Sequence, residues 1–104
     1  MPAELTPGQR KHLRSTARRL HCEVTVGKAG VSEKLLHHVR TLLSRRELIK
    51  VRLLEAADDD RRAAARELAA GAEASLVDLV GRVVVLYKPN EQLPPGSRLA
   101  LPRQ

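Results

Sequence analysis

Between Glu23 and Val39 the chain reads EVTVGKAGVSEKLLHHV and changes its hydrophobic period inside four residues, which limits the folds open to it. Up to Val26, polar and apolar residues alternate, the mark of a half-buried strand. Beyond Gly30 the apolar positions Leu35, Leu36, Val39, Leu42 and Leu43 fall at helical spacing, with Ser32 as the candidate cap. Leu48 to Leu54 returns to period two, placing Ile49, Val51 and Leu53 on one side and Lys50 and Arg52 on the other. Such a chain is neither all-helical nor all-strand.

The remaining segments extend the pattern. Thr6-Pro7-Gly8-Gln9 supplies the cap, the N1 proline and the back-reaching glutamine of a capping box. It predicts a first helix to about Leu20 with a narrow stripe of Leu13, Ala17 and Leu20. Asp58-Asp59-Asp60 reads as the acidic start of an alanine-rich helix from Arg61 to Ala70, ended by Gly71. No second acidic motif joins those carboxylates to make a magnesium site. Ser75 to Val80 and Val83 to Tyr87 predict a hairpin through Gly81-Arg82. The order α-β-α-β-α-β-β implies an α/β fold, a two-layer sandwich with a small mixed sheet. Crossovers through the second and third helices predict parallel neighbours, and the hairpin an antiparallel pair. At 104 residues the chain is expected to hold one domain over 1–90 and a proline-rich tail over 91–104, extended or without regular structure.

Charge is unevenly placed. Residues 1–54 carry twelve Lys or Arg against four Glu, residues 55–81 three Arg against seven acids, and the whole chain is +7. A basic half suits a polyanion, and the acidic segment is expected to lie off the binding face. With one Tyr and no Phe or Trp, the chain cannot build a platform of stacked aromatic rings. A nucleic-acid partner would have to be held by its backbone. Lys11, Arg14 and Arg18 share one side of the first helix, and Lys34, His38 and Arg45 the outer side of the second. The chain shows no membrane-length apolar run and no secretory leader, and its single Cys22 fits a reducing compartment. The expectation is a cytoplasmic monomer without membrane contact.

Catalytic and metal chemistry find no support. His12, His21, His37 and His38 lack ligand spacing, Cys22 has no base placed for it, and no Ser-His-Asp or paired-acid arrangement stands out. A protein with no metal, no cofactor and no enzymatic activity is expected.

Gly27-Lys28-Ala29-Gly30 is compatible with a tight turn and with a clamp. Glycine at both ends permits positive φ and close approach of an anion, and the helix behind it offers unpaired N–H groups. The segment is neither the G-x-G-x-x-G of a dinucleotide fold nor a P-loop. Three segments, VTVGKAGVSEKLLHHV, RELIKVRLL and GRVVVLYKP, resemble in order and spacing the signature blocks of the CRM domain, named for chloroplast RNA splicing and ribosome maturation. The likeness covers about residues 5 to 90 and is to the stand-alone bacterial YhbY type. It implies a four-stranded mixed sheet similar to the C-terminal domain of translation initiation factor 3. It also implies RNA binding, with the precursor of the large ribosomal subunit as the implied RNA. Intron splicing or RNA chaperoning and a protein-interaction role are the alternatives. By this resemblance the RNA-binding loop is Gly27, Lys28, Ala29 and Gly30; Lys50 and Arg52 of the strand block are placed to meet phosphate. Lys11, Arg14, Arg18 and Lys34 complete the expected basic surface. Arg82, Tyr87, Lys88 and Pro89 match the last block, with Tyr87 expected to anchor the sheet rather than stack on a base.

Overall fold

The structure, a computed structural model, describes residues 4–54 and 60–102. Its elements are α1 (Pro7–Ala17), β1 (Cys22–Val26), α2 (Glu33–Arg46), β2 (Leu48–Leu53), α3 (Arg61–Ala72), β3 (Ser75–Val80) and β4 (Val83–Tyr87), followed by a 3₁₀ turn at Pro95–Ser97. The expected α/β fold with a four-stranded mixed sheet is present.

Local chemistry explains most boundaries. Thr6 and Gln9 make both bonds of the capping box, and Pro7 occupies the first turn. Helix α1 stops at Ala17, three residues short of the expected Leu20, because the amides of Arg18, Arg19 and Leu20 tighten to i−3 acceptors. Ser32 caps α2 through Leu35 N–H at 3.1 Å. Asp60 holds the cap position of α3 in helical geometry (φ −94°, ψ −8°) and makes no side-chain cap bond. Asp58 and Asp59 lie outside the described residues. The hairpin turns at Gly81, whose φ of +58° belongs to the first central position of a type II′ turn.

Gly71 does not end α3, which continues to Ala72 and caps at Glu73 with φ 54°. It is instead where α3 presses on α2. A Cβ there would stand 2.6 Å from Leu36 Cδ1, and Arg40 of α2 donates to its carbonyl at 3.1 and 2.7 Å.

The sheet order is β1-β2-β4-β3. β1 and β2 are parallel, whereas β4 is antiparallel to both β2 and β3. The parallel neighbours expected across α3 are therefore not formed: the crossover skips one strand position, and β4 fills it. This follows from composition. All but the first residue of VVVLY in β4 are buried, and a strand covered on both faces belongs inside the sheet.

Helices lie on both faces, which adds a thin third layer to the two expected. On one face α2 and α3 cover Val24, Val26, Ile49, Val51, Leu53, Val84 and Leu86. On the other, Leu13 and Ala17 of α1 pack on Leu48, Val77, Val85 and Tyr87, joined at the margin by Leu99 and Leu101 of the C-terminal segment. That segment is held by a buried carboxylate. Glu47, at 0% exposure, accepts from Asn90 N–H and Leu99 N–H, each at 2.7 Å, and its own carbonyl accepts from Lys88 N–H at 2.8 Å. Arg98 Nε lies 3.5 Å from the same carboxylate.

Candidate nucleic-acid interface

Because β1 runs parallel to β2 and against β4, the 27–30 loop, the exit of β2 and the Gly81-Arg82 turn gather at one end of the sheet. Leu54 N–H donates to Val26 O at 2.8 Å and Leu53 N–H to Arg82 O at 2.7 Å, which ties that end together.

The loop closes as a turn, with Gly30 N–H donating to Gly27 O at 3.0 Å. Only one glycine uses the freedom of positive φ that both allow: Gly30 sits at +71°, while Gly27 lies outside that region. Among the described residues no atom lies within 4 Å of where a Cβ would stand on either glycine. The fold thus explains Gly30 by backbone geometry but asks nothing of Gly27. Lys28 and Ala29 are exposed at the tip. On the side facing α3, the loop borders a groove that includes Asp60 and Glu67. The acidic segment therefore adjoins the loop instead of lying wholly away from it, because α3 starts at the same end of the sheet.

The other expected residues fall into two places. Arg52 is exposed near the end of β2, paired across from Thr25, and Lys34 stands exposed on the first turn of α2. Arg14, Arg18 and Lys50 come together along the α1 face, where they line one groove with Ala17, Asp78, Val80, Val83 and Val85. Lys11 is exposed one turn before Arg14 and does not line it. Lys50 also has structural work: its ammonium donates to Leu20 O at 3.0 Å, where α1 ends.

Sequence reasoning missed a further basic group. Arg61, Arg62 and Arg66 line a groove of about 470 Å³ against Leu76, Asp78, Leu79 and Gly81, and Arg61 Nη1 donates to Gly81 O at 3.0 Å. Averaging charge over 55–81 hid these arginines, although Arg62 and Arg66 stand at i, i+4 on one helix face.

Tyr87 is 3% exposed, so its ring serves the core and offers no base a stacking surface. Burial first, and the neighbouring Glu47 second, raise its pKa above the usual 10.0, with Arg98 opposing. Cys22 is half-buried and the four histidines are exposed. Among the described residues no three His, Cys, Asp or Glu side chains are grouped to hold a metal, and no helix is long and apolar enough to cross a membrane.

Comparison with known proteins agrees with this architecture. A family model for the CRS1 / YhbY (CRM) domain matches residues 5–88. YqeI of Bacillus subtilis, named a probable RNA-binding protein, is 36% identical over 88 residues, spanning 85% of this chain and 92% of its own. PA4753 of Pseudomonas aeruginosa, also named a probable RNA-binding protein, is 37% identical over 100 residues, spanning 92% and 96%. The solution structure of the hypothetical protein SAV1595 from Staphylococcus aureus superposes with a TM-score of 0.79 at 30% identity, covering 95% of this chain and all of that one. With a matched domain running through nearly all its elements and relatives of its own length, the chain belongs to the CRS1/YhbY (CRM) domain family.

Proposed function

We propose that the protein is a non-catalytic RNA-binding factor that grips the sugar-phosphate backbone with Gly27, Lys28, Ala29 and Gly30. Lys11, Arg14, Arg18, Lys34, Lys50 and Arg52 extend the grip, and the RNA is ribosomal, in the precursor of the large subunit. The protein acts as a monomer in the cytoplasm. One observation carries the clamp: among the described residues nothing requires Gly27 to be glycine, either by its φ or by a neighbour within 4 Å of a Cβ. A position kept open toward solvent, beside the exposed Lys28 and the N-terminus of α2, suits close approach of a phosphate. The names of the relatives and the net charge of +7 support RNA as the ligand.

The test is a paired measurement on the Lys28→Asp, Ala29→Asp double variant. Two carboxylates at the loop tip meet the phosphate with repulsion, and RNA affinity should fall roughly 30- to 1000-fold. Thermal melting should stay close to that of the wild type, because the positive end of α2 favours the new acids while Asp60 and Glu67 across the groove oppose them. Equal RNA affinity at equal melting temperature would reduce the loop to a turn. Co-elution of large-subunit precursor RNA, sensitive to RNase, tests the identity of the RNA.

A further inference from the structure

Helix α1 covers only half of its face of the sheet. Beyond Ala17, toward the end that carries the 27–30 loop, two cross-strand rows follow, the inner one with Val85 buried beneath α1 and the outer one exposed or half-buried. The inner row is Lys50, Val85 and Asp78 across β2, β4 and β3; the outer row is Thr25, Arg52, Val83 and Val80 across all four strands. Arg14, Ala17 and Arg18 wall a groove of about 310 Å³ whose floor is Val80, Val83 and Val85. A sheet face left to water turns polar at its outward positions, as β2 does with Lys50 and Arg52. In the outer row β4 and β3 instead keep Val83 and Val80, although β3 carries Asp78 in the inner row, and Val80 is 62% exposed. Among the described residues only one other large hydrophobic side chain, Leu54, is exposed. The apolar floor is thus an unneeded exposure for the folded chain alone.

We infer that this groove is a nucleobase subsite, resting on the loop reading above and extending it from backbone grip to base contact. Exposed Val80 and half-buried Val83 offer apolar surface to a base, in a chain with no Phe or Trp and its one Tyr buried. Arg14, Arg18, Lys50 and Arg52 surround it with positive charge for the flanking phosphates, and guanidinium planes can stack on a base face. Asp78 is the one acid among these residues. Its Oδ1 accepts from Leu79 N–H at 2.9 Å, and its carboxylate repels phosphate while accepting from amino groups on a base edge such as cytosine N4. Its position orients the strand, with base edge toward β3 and phosphates toward α1 and β2. From the loop on β1 to Val80 on β3 is three strand spacings, roughly 15 Å, which one short single strand can bridge. An acidic peptide with apolar side chains is the competing occupant, and Asp78 counts against it.

The measurement uses the intact protein, methyl-labelled for NMR, and two probes of equal length: single-stranded oligocytidine of about eight nucleotides and its base-free ribose-phosphate counterpart. The oligocytidine should shift the methyl resonances of Val80 and Val83, and should bind about tenfold more tightly than the base-free strand. Val80→Asn changes no charge and should shrink that preference to about twofold while the base-free strand binds as before. If the amides of residues 27–30 move but the valine methyls stay still, the loop clamp stands and the subsite is overturned. Failure of both probes to bind would bring down the loop reading as well. Valine shifts caused by an acidic peptide but not by oligocytidine would overturn the subsite in favour of a protein partner.

Discussion

Tyr87 is the chain's only residue among Phe, Tyr and Trp, and the fold uses its ring for packing. Its hydroxyl is held neutral by burial and by the Glu47 carboxylate, which raises the pKa above 10.0. The unfolded chain releases that proton near pH 10.0 while the folded one retains it. Stability linked to Tyr87 is therefore complete below pH 10.0 and is lost as pH rises through the raised value. Tyr87→Phe has no proton to lose, so its melting temperature should decline less between pH 9 and pH 11 than that of the wild type. Parallel declines would show that Tyr87 is not the titrating group. The two loop glycines teach a related lesson at the same scale. They are identical in sequence, yet Gly30 is required by its φ and Gly27 by nothing among the described residues.

At the scale of elements, the junction of α2 and β2 does more than reverse the chain. Glu47 takes a left-handed conformation (φ 63°), where glycine or asparagine is usual, and its carboxylate is turned inward to the C-terminal segment. Asn90 adds a second tie, donating through Nδ2 to Ser44 O at 2.7 Å. Glu47→Ala would leave two amides without acceptors and Arg98 without its ion pair, so unfolding in urea should show a loss of about 2–4 kcal/mol. Amide exchange at residues 90–99 should accelerate beyond what the global loss explains, and Glu47→Gln should lie between the two. Unchanged exchange in that segment would mean that Leu99 and Leu101 hold it by packing alone. No local pattern announces this role, because an Arg-Arg-Glu-Leu run reads as an ordinary charged helix end.

For the whole molecule, the proposed binding face groups Lys28, Arg52, Arg14, Arg18 and Lys50 at one end and along one face, and on that reading association with RNA is an electrostatic event. Each phosphate contact on a single strand contributes about −0.7 to the slope of log K against log salt. Arg14→Ala and Arg18→Ala should each flatten that slope by up to about this amount, measured over a salt titration. An affinity indifferent to salt would rule out the basic surface as the binding face. The order of elements, the caps at Thr6 and Ser32, the hairpin and the position of the G-K-A-G loop were legible in the sequence, because period, cap and turn chemistry act over a few neighbouring residues. One further signal was there to be used: the unbroken run Val83 to Tyr87 implies a strand covered on both faces, hence a helix on each side. What only the tertiary structure decided is how these pieces meet. β4 between β2 and β3, Gly71 against Leu36, Asp60 beside the loop, and the inward Glu47 all depend on contacts between residues far apart in the chain. Periodicity says which side of an element is buried, but not against what; that choice is made only when all the apolar faces must be covered at once.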